Sequence, residues 1–210
     1  MENHLQEVDV KAERFKEVDV FMRDVTLDGS EALRVIKDPV IDGEDEATYA
    51  KLIGSEFQDG VIEVKVLSRL LPDAPDHARG FIGVAFRINE DDSAFEAFYL
   101  RPTNSRCEVQ LRRNRTAQYF SYPDFKYFHS RATNPGEYES YVDIDLDEWL
   151  TITIVVTGER GKLYVNHAEQ PVLVVNDLKH GAANKGAVGL FVDIGTEGFF
   201  KDLTYTVNHD

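Results

Sequence analysis

The sequence predicts an all-β protein built as an antiparallel β-sandwich. Short runs of its 210 residues alternate apolar and polar side chains with a period of two, the pattern of half-buried strands. Gly, Asp and Asn turns separate these runs at short, fairly regular intervals. No segment carries a convincing long-helix pattern. This combination favours two packed antiparallel sheets over an α/β fold.

The chain, 1–210, is expected to form a single domain in which residues 1–17 are an irregular, charged leading segment. Its length and 42% hydrophobic content allow a sizeable core without disulfide bonds. With one cysteine, Cys107, no intrachain disulfide framework can form. Cys107 lies on the apolar side of a predicted strand, which indicates a small core residue.

The first third predicts a hairpin over Val18–Ile36, because Asp28-Gly29 is a strong turn signal between two alternating runs. An acidic loop follows, from Asp38 to Ala50. A solvated loop is favoured there, and a structural calcium ion is left open, although the loop lacks the spacing of a helix-loop-helix calcium site. No other cofactor is expected. Val61–Leu67 then alternates cleanly as a strand.

The central stretch, Gly80 to Arg113, predicts three consecutive strands ending in CEVQLRR. Alternation gives each strand one apolar face and one polar or aromatic face. The later strands follow around Leu150–Val156 and in the final third of the chain. The predicted core residues are Ile82, Val84, Phe86, Phe98, Leu100, Val109, Leu111, Ile152, Ile154, Val165, Val188 and Leu190.

The polar face of the central strands is the candidate binding site. Planar rings can cover the apolar side of a sugar, while Arg and Gln donate hydrogen bonds to its hydroxyl groups. We expect this face to form the floor of a groove, two tyrosines of the following aromatic loop to form its wall, and a tryptophan to lie at its edge. A plain solvated sheet face is the competing interpretation. The residues concerned are Arg87, Tyr99, Arg101, Gln110, Arg112, Tyr119, Tyr122 and Trp149.

The formal net charge of −15 argues against nucleic acid and anionic membranes as partners. It also disfavours acidic polysaccharides, unless the arginines of the central stretch form a local basic island. A neutral carbohydrate is therefore the expected ligand, and the oligomeric state is left undetermined. The sequence begins without a signal-peptide pattern, which is typical of a cytoplasmic protein or of a secreted protein whose signal has been removed.

No phosphate-binding loop, zinc spacing or nucleophile elbow is present. The carboxylates that could serve glycoside cleavage are the run Asp143, Asp145, Asp147 and Glu148, together with Glu96. The run leads into a turn, where Asp is expected for local reasons. Three functions stay open: a carbohydrate-binding domain, a glycoside-cleaving enzyme, and a protein-interaction domain that uses the same sheet face.

Several segments resemble a known bacterial family: GFIGVAFRI, FEAFYLRPTN, LRRNR leading into QYFSYPDF, QPVLVVNDLKHG and GAVGLFVD. The chain, from about Val18 to Val207, is similar to the 3-keto-disaccharide hydrolase domains of the concanavalin A-like lectin/glucanase superfamily. The resemblance implies a jelly roll with a ligand groove on its concave sheet, and an association with glycosides as binder or hydrolase. Asp143-Ile-Asp145-Leu-Asp147 has the spacing of the superfamily's Glu-x-Asp-x-Glu motif but not its residues, so no catalytic residue is implied.

Overall fold

A computed structural model describes residues 4–207 and contains two antiparallel sheets packed face to face. The predicted all-β sandwich is therefore confirmed. The strands are β1 (His4–Val8), β2 (Phe15–Val18), β3 (Val20–Leu27), β4 (Ser30–Lys37), β5 (Tyr49–Leu52), β6 (Gly60–Leu70), β7 (Ile82–Ile88), β8 (Phe95–Leu100), β9 (Ala117–Tyr122), β10 (Glu139–Ser140), β11 (Leu150–Thr157), β12 (Arg160–Val165), β13 (Leu173–Val175), β14 (Ala187–Val192) and β15 (Thr196–Val207). The helices are α1 (Pro102–Ser105), α2 (Gln110–Arg113), α3 (Tyr127–Thr133) and a 3-10 turn at Ala12–Arg14.

Within the described range, one sheet has eight strands and the other has seven. The first runs β13-β12-β11-β6-β15-β4-β3, with β1 added along β15, and the second runs β10-β9-β8-β7-β14-β5-β2. The segment 1–17, expected to be irregular, thus supplies β1 to the first sheet and the start of β2 to the second. No helix between residues 4 and 207 is long and apolar enough to cross a membrane.

The hairpin predicted from Asp28-Gly29 is present between β3 and β4. Both turn residues have positive φ, +50° for Asp28 and +80° for Gly29. This is the conformation of a type I′ turn, whose twist matches that of the paired strands. The Asp-Gly pair therefore fixes the register in which Leu27 faces Ser30.

The main core fills the space between the two sheets. Ile82, Val84 and Phe86 enter it from β7, and Phe98 and Leu100 enter it from β8, with no more than 1% of any side chain exposed. Burying so many aliphatic and aromatic side chains is the principal stabilising contribution to such a sandwich. All the predicted core residues are buried except Val109 and Leu111.

A second apolar cluster lies on the outer face of the seven-stranded sheet. It includes Phe95 and Tyr99 of β8, Phe120 of β9, Tyr49 of β5 and Phe191 of β14, all almost fully buried. Chain segments that cross this face cover it. Among them, the loop after β4 meets α3 where the Tyr127 amide donates to Asp45 Oδ2 at 2.8 Å. The outer face is therefore a covered surface rather than the open one that the alternation pattern predicts.

The third central strand is absent, and this prediction is wrong. Pro102 begins a helical turn, the chain leaves the sheet, and residues 110–113 form α2 instead. Val109 and Leu111 are consequently exposed by 50% and 58%, and Cys107 is only half-buried in the connecting loop. The place beside β8 is taken by β9.

Candidate functional site

A pocket with a cavity volume of about 160 Å³ opens on the outer face of the seven-stranded sheet. Its base is formed by Tyr99 and Arg101 at the end of β8 and by Phe81 just before β7. Its sides come from segments far apart in the sequence: Glu44, Asp45, His77, Arg79, Asn104, Arg112, Arg115, Tyr127, Arg131 and Asp193.

Arg101 organises the base of the pocket. It follows β8 with the same facing as Tyr99, and its Nη2 donates to the Tyr99 hydroxyl at 2.6 Å. Further bonds run to Gln118 Oε1 and to the carbonyl of Arg115, and the guanidinium carbon lies 4.8 Å from the centre of the Tyr99 ring. Only 4% of Arg101 is exposed. Its position is therefore fixed by side-chain, backbone and ring contacts together.

Glu139 of β10 supplies the counter-charge for one group of arginines. Its carboxylate lies 2.6 Å from Arg131, 3.5 Å from Arg101 and 3.6 Å from Arg115. Only 8% of Glu139 is exposed, so these interactions are weakly screened. One buried carboxylate thus holds three pocket guanidinium groups in place.

Arg79 and Arg112 stand apart from this group. Arg79 donates from Nη1 to the carbonyls of Asp76 and Ala78, and Arg112 donates from Nε to Asn104 Oδ1. Among residues 4–207, no carboxylate lies within ion-pair distance of either guanidinium. Burial, and then the charges of Arg112 and Arg101, lower the pKa of Arg79. Both arginines therefore line the pocket with donors and with positive charge that forms no ion pair among the described residues.

The pocket lining also includes two acidic residues that contact each other's segments. Asp193, just after β14, accepts from the Lys37 ammonium at 2.8 Å, and its other oxygen accepts from the Asp45 amide at 2.9 Å. Asp45 is 1% exposed, and its Oδ2 accepts from the Tyr127 amide. Its Oδ1 is buried without a hydrogen-bond partner in the part of the chain that the structure describes. A buried polar atom left unpaired costs free energy, which a bound ligand group can recover.

Asp45 is also the titratable group most suited to chemistry in the pocket. Burial, and then the negative charge of Asp193, raise the pKa of Asp45 to about 7. Arg101 and the Tyr127 amide oppose this shift. A carboxyl group with such a pKa can accept or donate a proton near neutrality. Asp193, in contrast, is held by Lys37 and by backbone amides.

Tyr127 of α3 provides an aromatic wall. Arg131 lies 4.7 Å from the centre of its ring, and Arg101 lies 5.9 Å from it. With Phe81 near the base, the pocket combines ring surfaces with guanidinium, hydroxyl and carboxyl groups. This combination can bind a small polyhydroxylated ring by stacking and by hydrogen bonds.

Three of the residues predicted for the site line this pocket: Tyr99, Arg101 and Arg112. The first two lie on the predicted sheet face, although they are buried beneath the pocket rather than spread along an open groove. Arg112 reaches the pocket from α2 and not from a strand.

The other predicted residues lie elsewhere. Tyr119 is fully buried in the main core, where its hydroxyl donates to Glu96, because β9 turns this residue inward. Trp149 packs on the outer face of the eight-stranded sheet, beneath Lys201. Gln110 is exposed on α2 and donates to Asn114. Tyr122 stacks on Phe95, outside the pocket lining.

Arg87 was expected on the outer face and is completely buried on the inner one. Its φ of +52° marks a bulge in β7, opposite the register shift between Ala187 and Gly189 of β14. A bulge adds one residue to a strand and reverses the facing of the side chains that follow. Arg87 therefore points inward, and Ile88, which simple alternation would place on the same face as Phe86, joins the outer cluster.

The carboxylates considered for catalysis are not in the pocket. Asp143 and Asp145 are paired with Arg106 at the surface, and Asp147 is paired with Arg69. Glu96 is buried beside Arg87 and Tyr119. Within residues 4–207, no cluster of three or more His, Cys, Asp or Glu side chains that could hold a metal ion occurs.

Asp45, Asp193, Arg79, Arg115, Tyr127 and Arg131 were not predicted from the sequence. Each lies in or beside a loop or short helix, where the alternation of apolar and polar residues does not predict which way a side chain points. The signals present were the acidic loop containing Asp45 and the aromatic segment containing Tyr127.

Comparison with known proteins identifies the fold. No protein-family model and no curated protein sequence matches the chain. Among solved structures, the carbohydrate-binding module CBM66 from Bacillus subtilis is 13% identical, with a TM-score of 0.57 over 90% of this chain and 96% of that one. A candidate glycosyl hydrolase from Parabacteroides distasonis is 10% identical, with a TM-score of 0.55 over 96% and 91%. A galectin-like protein of unknown function from Bacillus subtilis is 11% identical, with a TM-score of 0.51 over 93% and 100%. The chain therefore has the galectin/concanavalin A-like fold that the resemblance implied.

Proposed function

We propose that the protein is a carbohydrate-binding domain and that the pocket around Tyr99, Arg101 and Asp45 receives one sugar ring at the end of a glycan. Asp45 Oδ1 carries this proposal, since among residues 4–207 it is a buried polar atom of a ring-lined pocket that accepts no hydrogen bond. A sugar hydroxyl both donates and accepts hydrogen bonds. It can therefore pair with Asp45 in either protonation state.

The size of the pocket supports a single ring. Its volume of about 160 Å³ is below the roughly 300–1,000 Å³ of sites for drug-sized molecules. A binding module and a candidate glycosyl hydrolase also share this fold, and fold alone does not determine function. The net charge of the chain favours a neutral sugar over an acidic one, unless several arginines form a local basic island. Five arginines line this pocket.

A glycoside-cleaving enzyme is the second candidate, and the raised pKa of Asp45 favours it. Two carboxyl groups normally share the work of glycoside cleavage. Asp193 is already engaged by Lys37, and the third pocket carboxylate, Glu44, lies 3.7 Å from His77. Asp45 is thus the pocket carboxyl group that forms no ion pair among residues 4–207. Binding without cleavage is therefore the primary proposal, and cleavage of glycosides or 3-keto-glycosides is the alternative. The protein-interaction alternative requires a flat apolar face, whereas the apolar residues of the outer cluster are buried.

A glycan array and a panel of chromogenic and 3-keto glycosides, applied to the same purified protein, test the proposal. We expect binding to a terminal sugar, lost in Tyr127→Ala and retained in Trp149→Phe, a variant on the opposite side of the sandwich. Turnover that disappears in Asp45→Asn while binding persists would establish the enzyme instead. Binding that survives Tyr127→Ala and Arg101→Ala in folded protein would place the site outside this pocket.

A further inference from the structure

We infer that the sugar bound in this pocket carries an oxyanion, a carboxylate, phosphate or sulfate group, held between Arg79 and Arg112. This inference rests on the proposed function and specifies the class of its ligand. It starts from an imbalance of charge in a pocket whose other arginines are paired with a carboxylate of the chain.

The imbalance is local. Five arginines line the pocket together with three carboxylates. Asp193 is matched by Lys37, Glu44 lies 3.7 Å from His77, and three of the arginines share Glu139. Arg79 and Arg112 form no ion pair with a carboxylate anywhere in the described part of the chain. The unmatched positive charge is thus carried by these two side chains.

The geometry of the donors selects the type of group. A guanidinium presents five N–H donors in a planar fork that matches the oxygens of a carboxylate or phosphate. Arg79 uses Nη1 for backbone carbonyls, and Arg112 uses Nε for Asn104. The remaining N–H groups of both side chains have no partner among residues 4–207. A neutral hydroxyl would leave the mutual repulsion of these cations in place, whereas an oxyanion would cancel it.

Other groups of the pocket suit the sugar ring itself. Asp45 and the Tyr99 hydroxyl line the same pocket as Arg79 and Arg112, and each can exchange hydrogen bonds with sugar hydroxyls. The pocket as a whole therefore favours a ring that carries several hydroxyl groups and one negative charge.

Isothermal titration calorimetry at pH 6 on the full chain tests the inference. The ligands are glucuronate, galacturonate, glucose 6-phosphate and glucose 6-sulfate, with glucose and galactose as neutral parents and acetate and phosphate as free anions. At least one oxyanion sugar should bind about tenfold or more tightly than its neutral parent. Raising the salt concentration should reduce that advantage.

Arg79→Gln and Arg112→Gln should each remove most of the advantage, and Arg112→Lys should retain part of it. The matched control is Arg23→Gln, which removes an exposed arginine of β3 in the other sheet. Circular dichroism and thermal melts establish that each variant is folded. The advantage should persist in Arg23→Gln.

The other outcomes separate this inference from the proposed function. Equal affinity for neutral and anionic sugars, lost in Tyr127→Ala, would overturn the inference and leave the sugar site standing. Acetate or phosphate binding as tightly as the sugar conjugates would show an anion site without sugar recognition and overturn both. Failure of every sugar to bind the folded protein would also overturn both.

Discussion

Asp45 carries an ionisable carboxyl group into a position with almost no exposure to water. It faces Asp193 beyond β14, Tyr99 of β8, Arg101 just after β8, and the amide of Tyr127 in α3. Burial and Asp193 together raise its pKa from the ordinary value near 3.8 to about 7. The folded state therefore binds more protons at this group than the unfolded state between about pH 4 and pH 7.

This difference predicts how Asp45 affects stability. Folding favours the protonated form of Asp45. The contribution of this group to the free energy of unfolding is therefore fully present below about pH 4 and is lost as the pH rises to about 7. The decline attributable to Asp45 is roughly 3–5 kcal/mol. Asp45→Asn should remove that decline, leaving a variant similar to the parent at pH 4.5 and more stable at pH 8. Urea unfolding at the two pH values measures both effects.

The control for this prediction is Asp42→Asn, a change of the same chemistry at an exposed position in the same loop. It should leave the pH dependence of unfolding unchanged. A decline of the same size in Asp45→Asn and in the parent protein would show that Asp45 does not titrate as described.

Arg87 shows a different use of a buried charge. Its side chain is completely buried, lies 3.4 Å from Glu96 and donates to the carbonyls of Gln58, Gly158 and Gly181. These acceptors belong to loops on three parts of the chain. Arg87 therefore joins the loops at one end of the sandwich, and we assign it no contact with the ligand.

Arg87→Met should lower the free energy of unfolding by about 3–5 kcal/mol, because Glu96 is left buried without its cation. Combining it with Glu96→Gln should cost less than the sum of the two single changes. Chemical denaturation of the four proteins measures the cycle, with Arg160→Met at an exposed position as control. Additive losses would show that the two side chains do not interact.

At the scale of the element, the strands were predictable and the short helices were not. β7 and β8 carry enough alternating residues for Ile82, Val84, Phe98 and Leu100 to be placed correctly. Residues 107–112 alternate in the same way over too short a distance to exclude a helical turn. The bulge at Arg87 changes which sheet face the following side chains point to. The alternation of apolar and polar residues in the sequence gives no sign of this bulge.

The difference between a true and an apparent strand can be measured with matched substitutions. Val84 is fully buried in β7, whereas Leu111 in α2 is 58% exposed. Val84→Asp should therefore cost several kcal/mol, about the penalty for burying an unpaired charge. Leu111→Asp should change stability by less than about 1 kcal/mol. Equal losses in urea unfolding would indicate that residues 107–112 pack into a core after all.

At the scale of the whole molecule, the pocket depends on contacts that no local pattern encodes. Asp45, Arg79, Tyr127 and Asp193 meet only because the loop after β4, the segment before β7, α3 and the end of β14 converge on one face. The distances between these residues along the chain follow from the order of the strands and form no recognisable sequence motif. The fold could therefore be predicted from the chain, whereas the composition of the site required the structure.

The net charge of the whole molecule contrasts with the local charge of the pocket. The chain has a formal net charge of −15, while the pocket holds five arginines. Such a net charge destabilises the folded state through self-repulsion, and dissolved salt screens this repulsion over a Debye length of about 10 Å at 0.1 M. Raising sodium chloride from low to near-molar concentration at pH 8 should therefore increase the melting temperature of the ligand-free protein.

Repeating the melts at pH 5 provides the control, since the sequence pI is about 4.8 and the net charge there is small. The increase with salt should then largely disappear. A melting temperature that falls with salt at pH 8 would contradict the prediction, because it would mean that attractive surface pairs such as Lys65 with Asp202 and Lys185 with Glu56 outweigh the repulsion. Exposed pairs contribute little individually, so we expect the repulsion that accompanies the net charge of −15 to dominate.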